Sequence, residues 1–136
     1  PAAPLRRLAV AARRAASQSY SPYSRFPVGA AVLTERGIFS GCNVENASYG
    51  LCNCAERTAI FSAAAAGRRR LRAVVVYTPT PTPTLPCGAC RQVINEFGAD
   101  ATVIALCDGP SHISTGAADL LPHAFGPRNL TASRRR

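Results

Sequence analysis

Cys54-Ala55-Glu56 and Cys87-Gly88-Ala89-Cys90 put three thiols in two groups well separated along the chain. If one ion holds all three, the intervening chain must leave and return to the same point. Each group also opens a helical pattern. Cys54 begins an Ala-rich stretch that runs to Ala66 and stops at Gly67, and Gly88 to Phe97 forms a second stretch stopped by Gly98. Two helix N-termini must therefore meet. That placement has a chemical use, because the unpaired N–H groups and dipole of an N-terminus favour thiolate, the form that binds metal. Pro86 and Gly88 supply the tight turn that lets two thiolates face one ion.

Three protein ligands leave a tetrahedral zinc ion with an open position, which is the mark of a catalytic site. Glu56, beside Cys54, is placed to handle the proton of an activated water. Two other readings compete. Cys52-Asn53-Cys54 offers a second close pair that would close a structural site with four thiolates, and Cys87 with Cys90 alone has the spacing of a redox pair. Neither gives Glu56 a role, so an open site is expected, with Cys52 a bystander. Three thiolates also leave the ion with net negative charge. Arg57 and Arg91, each next to a ligand or to Glu56, are candidates to donate hydrogen bonds to the sulfurs, and Arg57 is favoured because its helix carries the site.

The chain has 136 residues and a net charge of +9, carried by sixteen Arg and no Lys. The arginines fall in separate clusters at 6–7, 13–14, 68–72 and 134–136, with no basic stripe of interleaved aromatics, so nucleic acid is not expected as a partner. No apolar run approaches the roughly 20 residues of a membrane span. Six cysteines would suit a disulfide framework, but the chain is long enough to bury a core without staples, and free thiols are expected at Cys42, Cys52 and Cys107. The first 20 residues, rich in Arg, Ala and Ser and without acids, have the look of a transit peptide. Leu5, Leu8, Ala9, Ala12, Ala15 and Ala16 nevertheless share one helical face, and a packed first helix is the preferred reading.

Strands are expected at Val28 to Leu33 and Ile38 to Cys42, joined by a turn at Glu35-Arg36-Gly37, and again at Arg72 to Thr78 and Ala101 to Leu106. Ala73-Val74-Val75-Val76-Tyr77 is continuously apolar, as in a strand covered on both faces. Asn43 to Asn53 reads as a loop. The Thr-Pro alternation over 78–84 must be extended and cannot join a sheet interior. Ala117 to Leu121 reads as a short helix, and the tail over 130–136 is expected to be flexible. The pattern is that of one α/β domain over 1–136.

Cys-Ala-Glu with Pro-Cys-Gly-Ala-Cys resembles the zinc nucleobase-deaminase signature, with Cys in place of the usual His. Tyr20 to Ala31, Asn43 to Tyr49, Cys54 to Ala59, Pro86 to Gln92 and Leu120 to Pro127 are similar, in order, to blocks of the short-chain zinc-dependent cytidine deaminases. The resemblance covers nearly the whole chain. It implies a three-layer α/β/α sandwich around a mixed sheet of about five strands, and one Zn2+ per chain on Cys54, Cys87 and Cys90. It implies hydrolytic deamination of cytidine and 2′-deoxycytidine, in which Glu56 takes the water's proton, protonates N3 and serves the departing amine.

The same resemblance assigns Asn43 and Glu45 to the ribose 3′-hydroxyl, Phe26 to packing near the base, and the main chain of Ala55 to the pyrimidine edge. By ordinary turn chemistry, Asn43 with Glu45 is an Asx-type turn, and Phe26 is a core aromatic. The family's short-chain branch further implies a cytoplasmic homotetramer with shared active sites, Phe125 being the aromatic supplied across the interface; packing under the last helix is its alternative. Rival functions are deamination of a modified nucleoside or nucleoside antibiotic, deamination of single-stranded nucleic acid, and a non-catalytic zinc module. Glu45 at the sugar opposes the second of these, because a carboxylate repels phosphate.

Overall fold

The computed structural model describes residues 3–133. Helix α1 (Ala3–Ala16) leads through a turn-rich segment into strands β1 (Gly29–Thr34) and β2 (Gly37–Cys42). A 3-10 turn at Tyr49–Leu51 precedes α2 (Ala55–Ala65) and β3 (Leu71–Tyr77). Then follow α3 (Gly88–Gly98), β4 (Thr102–Leu106), β5 (Ile113–Gly116), α4 (Ala117–Leu120) and α5 (Pro127–Ser133).

The strands form one sheet in the order β2-β1-β3-β4-β5. β3 and β4 are parallel and every other pair is antiparallel, so the sheet is mixed. Alternation along the strands splits the core into two layers. Ala30, Val32, Val74 and Val103 face α2, α3 and α4 through Ala59, Ile60, Ala63, Ile94 and Ala117. Ala31, Ala73, Val75 and Ile104 face Leu8 and Ala12 of α1. This is the expected three-layer sandwich, with the run Val74-Val75-Val76 buried at its centre.

The amphipathic reading of the N-terminus holds: Leu8, Ala12 and Ala16 are buried on α1. The helix lies so close to the sheet that a Cβ on Gly29 would come 1.8 Å from the carbonyl oxygen of Ala12. On the other face Gly41 plays the same part for α2, its missing Cβ lying 2.5 Å from the amide of Ala59. Two elements went unread in the residue pattern. β5 is a four-residue, half-exposed edge strand, and α5 occupies Pro127–Ser133, where a flexible tail was expected from 130. Arg134 to Arg136 lie outside the described residues.

The register fixes where a site can form. Gly29 pairs with both Cys42 and Tyr77, so the start of β1 and the ends of β2 and β3 lie side by side on one rim. Phe26, Asn43, Glu45 and Thr78 are the residues just beyond that rim.

Candidate active site

Cys54 is the N-cap residue of α2 and Cys87 that of α3, both with extended backbone, and Cys90 follows in the first turn of α3. The predicted meeting of two helix N-termini is thus realised. The sulfurs of Cys54 and Cys87 are 3.7 Å apart and those of Cys87 and Cys90 3.6 Å. All three lie within 4.8 Å of one another. A tetrahedral zinc with Zn–S bonds of about 2.3 Å spaces its sulfurs about 3.8 Å apart, so the donor set fits one Zn2+ as it stands. Cys52 is not part of the cluster. Its thiol turns to the backbone of Asn46, accepting from the amide at 3.3 Å and donating to the carbonyl at 3.6 Å.

The electrostatics suit metal binding. Hydrogen bonding from the Cys90 thiol, then from Arg57 and Cys87, holds the Cys54 thiol far below its ordinary range, at about 5. Cys90 is pushed up in return by the same bond. One thiolate thus stands ready among the three sulfurs. Arg57 Nη2 donates to Cys54 Sγ at 3.2 Å, and the buried Arg57 Nε has no hydrogen-bond partner among the described residues. Arg91 takes no part, since Nε donates to the Pro86 carbonyl at 2.7 Å and Nη1 to that of Leu120 at 3.1 Å. Of the two candidates it is Arg57 that touches sulfur, while Arg91 ties the turn before Cys87 to α4.

Glu56 is 5% exposed. Burial, reinforced by the charge on Cys54, lifts its carboxyl to about 7. A group so tuned is populated in both protonation states near neutrality.

A cleft of about 330 Å³ opens in front of these groups. Cys54, Ala55, Glu56 and Cys87 line it together with Ser24, Asn43 and Glu45, and Phe26, Val28, Val76, Thr78, Thr84 and Leu85 complete its walls. Asn43 is largely spent on the fold: its Oδ1 accepts from Ser19 and from the Val28 amide, and its Nδ2 donates to the Phe26 carbonyl at 2.8 Å. One N–H of its amide is left over. Glu45 accepts from the amides of Tyr23 and Ser24 at 3.0 and 3.1 Å and from the Ser24 hydroxyl. The Ser24 hydroxyl bond leads the effects that lower its carboxyl, so Glu45 stays ionised. Both residues do more than the simple Asx turn allowed, for they strap the 19–28 segment to the rim. Phe125 does not line this cleft. It stands 59% exposed, its carbonyl accepting from Gln92.

Fold and site together define a class: an α/β metalloenzyme domain that grips its ion between two helix N-termini. The family model for the cytidine and deoxycytidylate deaminase zinc-binding region matches residues 4–106, and the chain belongs to that family. It is 46% identical over 127 residues to a cytidine deaminase of Sporosarcina psychrophila, covering 92% of this chain and 93% of the relative. A cytidine deaminase of Mycobacterium tuberculosis is 42% identical, with 91% of each chain covered. Among solved structures, cytidine deaminase from Burkholderia pseudomallei superposes with a TM-score of 0.84 at 52% identity, over 88% of this chain and 98% of that one.

Proposed function

We propose that the chain is a hydrolytic deaminase converting cytidine and 2′-deoxycytidine to the uridines, as in pyrimidine salvage. The observation that carries this reading is a single cleft lined by two thiols of a three-thiol cluster, a buried carboxyl and an ionised carboxylate. When bound by Cys54, Cys87 and Cys90, zinc supplies the Lewis acidity that readies a water for attack on C4. Glu56 takes that water's proton and places it on N3. It then takes the proton of the hydroxyl added at C4 and gives it to the departing amine, so that uridine and ammonia leave with the carboxylate as it began. Its carboxyl at about 7 suits both the taking and the giving. Ala55 is the first residue of α2, so its N–H has no partner within the helix and is free to read the pyrimidine edge. Phe26 packs beside the base. Asn43, through its spare N–H, and Glu45, as acceptor, hold the ribose hydroxyl. Arg57 draws charge from the sulfurs and so preserves the acidity of the site.

The chain works as one domain and as a cytoplasmic homotetramer with shared sites. Tyr49 and Leu51, 74% and 69% exposed, and Phe125 are large apolar groups that such an assembly would cover. In that arrangement Phe125 closes the cleft of a neighbouring copy. The test is zinc stoichiometry together with the loss of cytidine absorbance, repeated with deoxycytidine, cytosine and CMP. One zinc per chain with turnover of both nucleosides is expected, and cytosine and CMP should be poor substrates. Turnover of single-stranded nucleic acid without turnover of cytidine would overturn the reading.

A further inference from the structure

The Thr-Pro segment after β3 forms part of the cleft, since Thr78, Thr84 and Leu85 all line it. Pro79, Pro81 and Pro83 fix their own φ angles and carry no N–H, so the segment cannot extend the sheet. Its carbonyls are taken up instead, one after another. The Thr80 carbonyl accepts from the Asp108 amide at 2.9 Å. The Pro81 carbonyl faces the Cys107 thiol at 3.6 Å, and the Thr82 carbonyl accepts from the Thr80 hydroxyl at 2.6 Å. That last bond uses the only proton of the Thr80 hydroxyl. In the 2.7 Å contact between the Thr78 and Thr80 hydroxyls, Thr78 is therefore the donor. Thr80 is the node, accepting from one threonine and donating to the carbonyl of the other.

The corner that receives the segment is itself pinned. The single S–H of buried Cys107 faces the carbonyls of Ser111 at 3.3 Å and of Pro81 and Gly109 at 3.6 Å. A Cβ on Gly109 would come 2.0 Å from the Pro81 oxygen, so only glycine admits the contact. From α1, Arg13 donates to the Cys107 carbonyl at 3.1 Å and lies 4.7 Å from the centroid of the Tyr77 ring. The Tyr77 hydroxyl donates to Asp108 at 2.6 Å. Thr80 and Cys107 do not line the cleft.

We propose that Thr80 and Cys107 are positioning residues that hold the 78–85 wall in place, and that this wall sets how large a base the cleft admits. Thr84 and Leu85 stand just before Cys87 in the chain and line the cleft with it, so the wall borders the thiols, where the reacting ring must sit. The inference rests on the reading of the cleft as a cytidine site. The test compares kcat/KM for cytidine and 5-methylcytidine in the zinc-loaded wild type, Thr80→Val and Thr80→Ser. Thr80→Val keeps the shape of the side chain and loses the node. It should lower the preference for cytidine by a factor on the order of 2 to 10, chiefly through KM, with zinc still at one per chain. Thr80→Ser keeps the hydroxyl and should restore the wild-type ratio.

A ratio moved by less than about 2-fold, or a shift that Thr80→Ser does not reverse, overturns the proposal. If Thr80→Val does not fold, Cys107→Ala, with Cys107→Ser as its rescue, carries the same comparison, and the same two results overturn the proposal. A wild type inactive on cytidine would overturn the functional reading and this inference with it. An active wild type whose ratio does not respond overturns the inference alone.

Discussion

The guanidinium of Arg57 lies 3.2 Å from the sulfur of Cys54, three residues earlier at the start of the same helix. One turn of α2 and its N-cap therefore carry a thiol of the metal-binding cluster, the buried carboxyl of Glu56 and the cation that hydrogen-bonds that thiol. Arg57→Gln keeps hydrogen-bond donors and removes the charge. Zinc affinity should fall about 10- to 100-fold, as for loss of other groups that support metal ligands, and kcat should fall with it. Competition with a chelator of known affinity reads the first effect and steady-state kinetics the second.

Glu56→Gln keeps the size of the side chain and loses the ability to accept and release a proton. Its kcat should drop by about 10² to 10⁴ while zinc stays bound. Loss of the metal in parallel with activity would assign Glu56 to holding the site rather than to moving protons.

Stripping the ion with a chelator should abolish turnover, and added zinc should restore it. Cys90→Ser should prevent that restoration, because Cys90 completes the cluster. Cys52→Ser should leave one zinc per chain and unchanged turnover, since its thiol turns to Asn46. Elemental analysis of the two variants separates a site of three thiolates from one of four.

Two glycines give a contrast between the faces of the sheet. Gly29→Ala forces a Cβ against Ala12, and Gly41→Ala forces one against Ala59. Each should cost about 1–3 kcal/mol of stability, measurable by denaturant titration. Only Gly41→Ala displaces α2, which carries Cys54 and Glu56. It alone should lower kcat in protein that is still folded.

The elements legible in the sequence were those built on strong local signals. The apolar run of β3, the turn at Gly37 and the glycine stops of α2 and α3 place each element to within a residue or two. β5 gave little signal, because Ser114, Thr115 and Gly116 form an exposed edge strand whose pairing with β4 is a tertiary matter. At the site, the ligands and Glu56 were readable from residue type and spacing. Arg57 is favoured over Arg91 because its helix carries the site, and the fold agrees: Arg57 reaches sulfur, whereas Arg91 bonds the carbonyls of Pro86 and Leu120. The grip of Glu45 on Ser24 spans 21 positions and rests on the rim formed by β1, β2 and β3. The role of Thr80 was equally hidden, because it depends on a corner some thirty residues downstream, the sequence separation of the Tyr77–Asp108 bond.

The division of the core into two layers has a practical consequence. Both helices that bear thiols pack on one side of the sheet, and α1 packs on the other. The arginines at 6, 7 and 14 are exposed on α1, a full sheet's thickness from the chemistry. Resurfacing that outer helix for solubility, immobilisation or fusion should therefore be tolerated, provided Leu5, Leu8, Ala12, Arg13 and Ala16 are left in place.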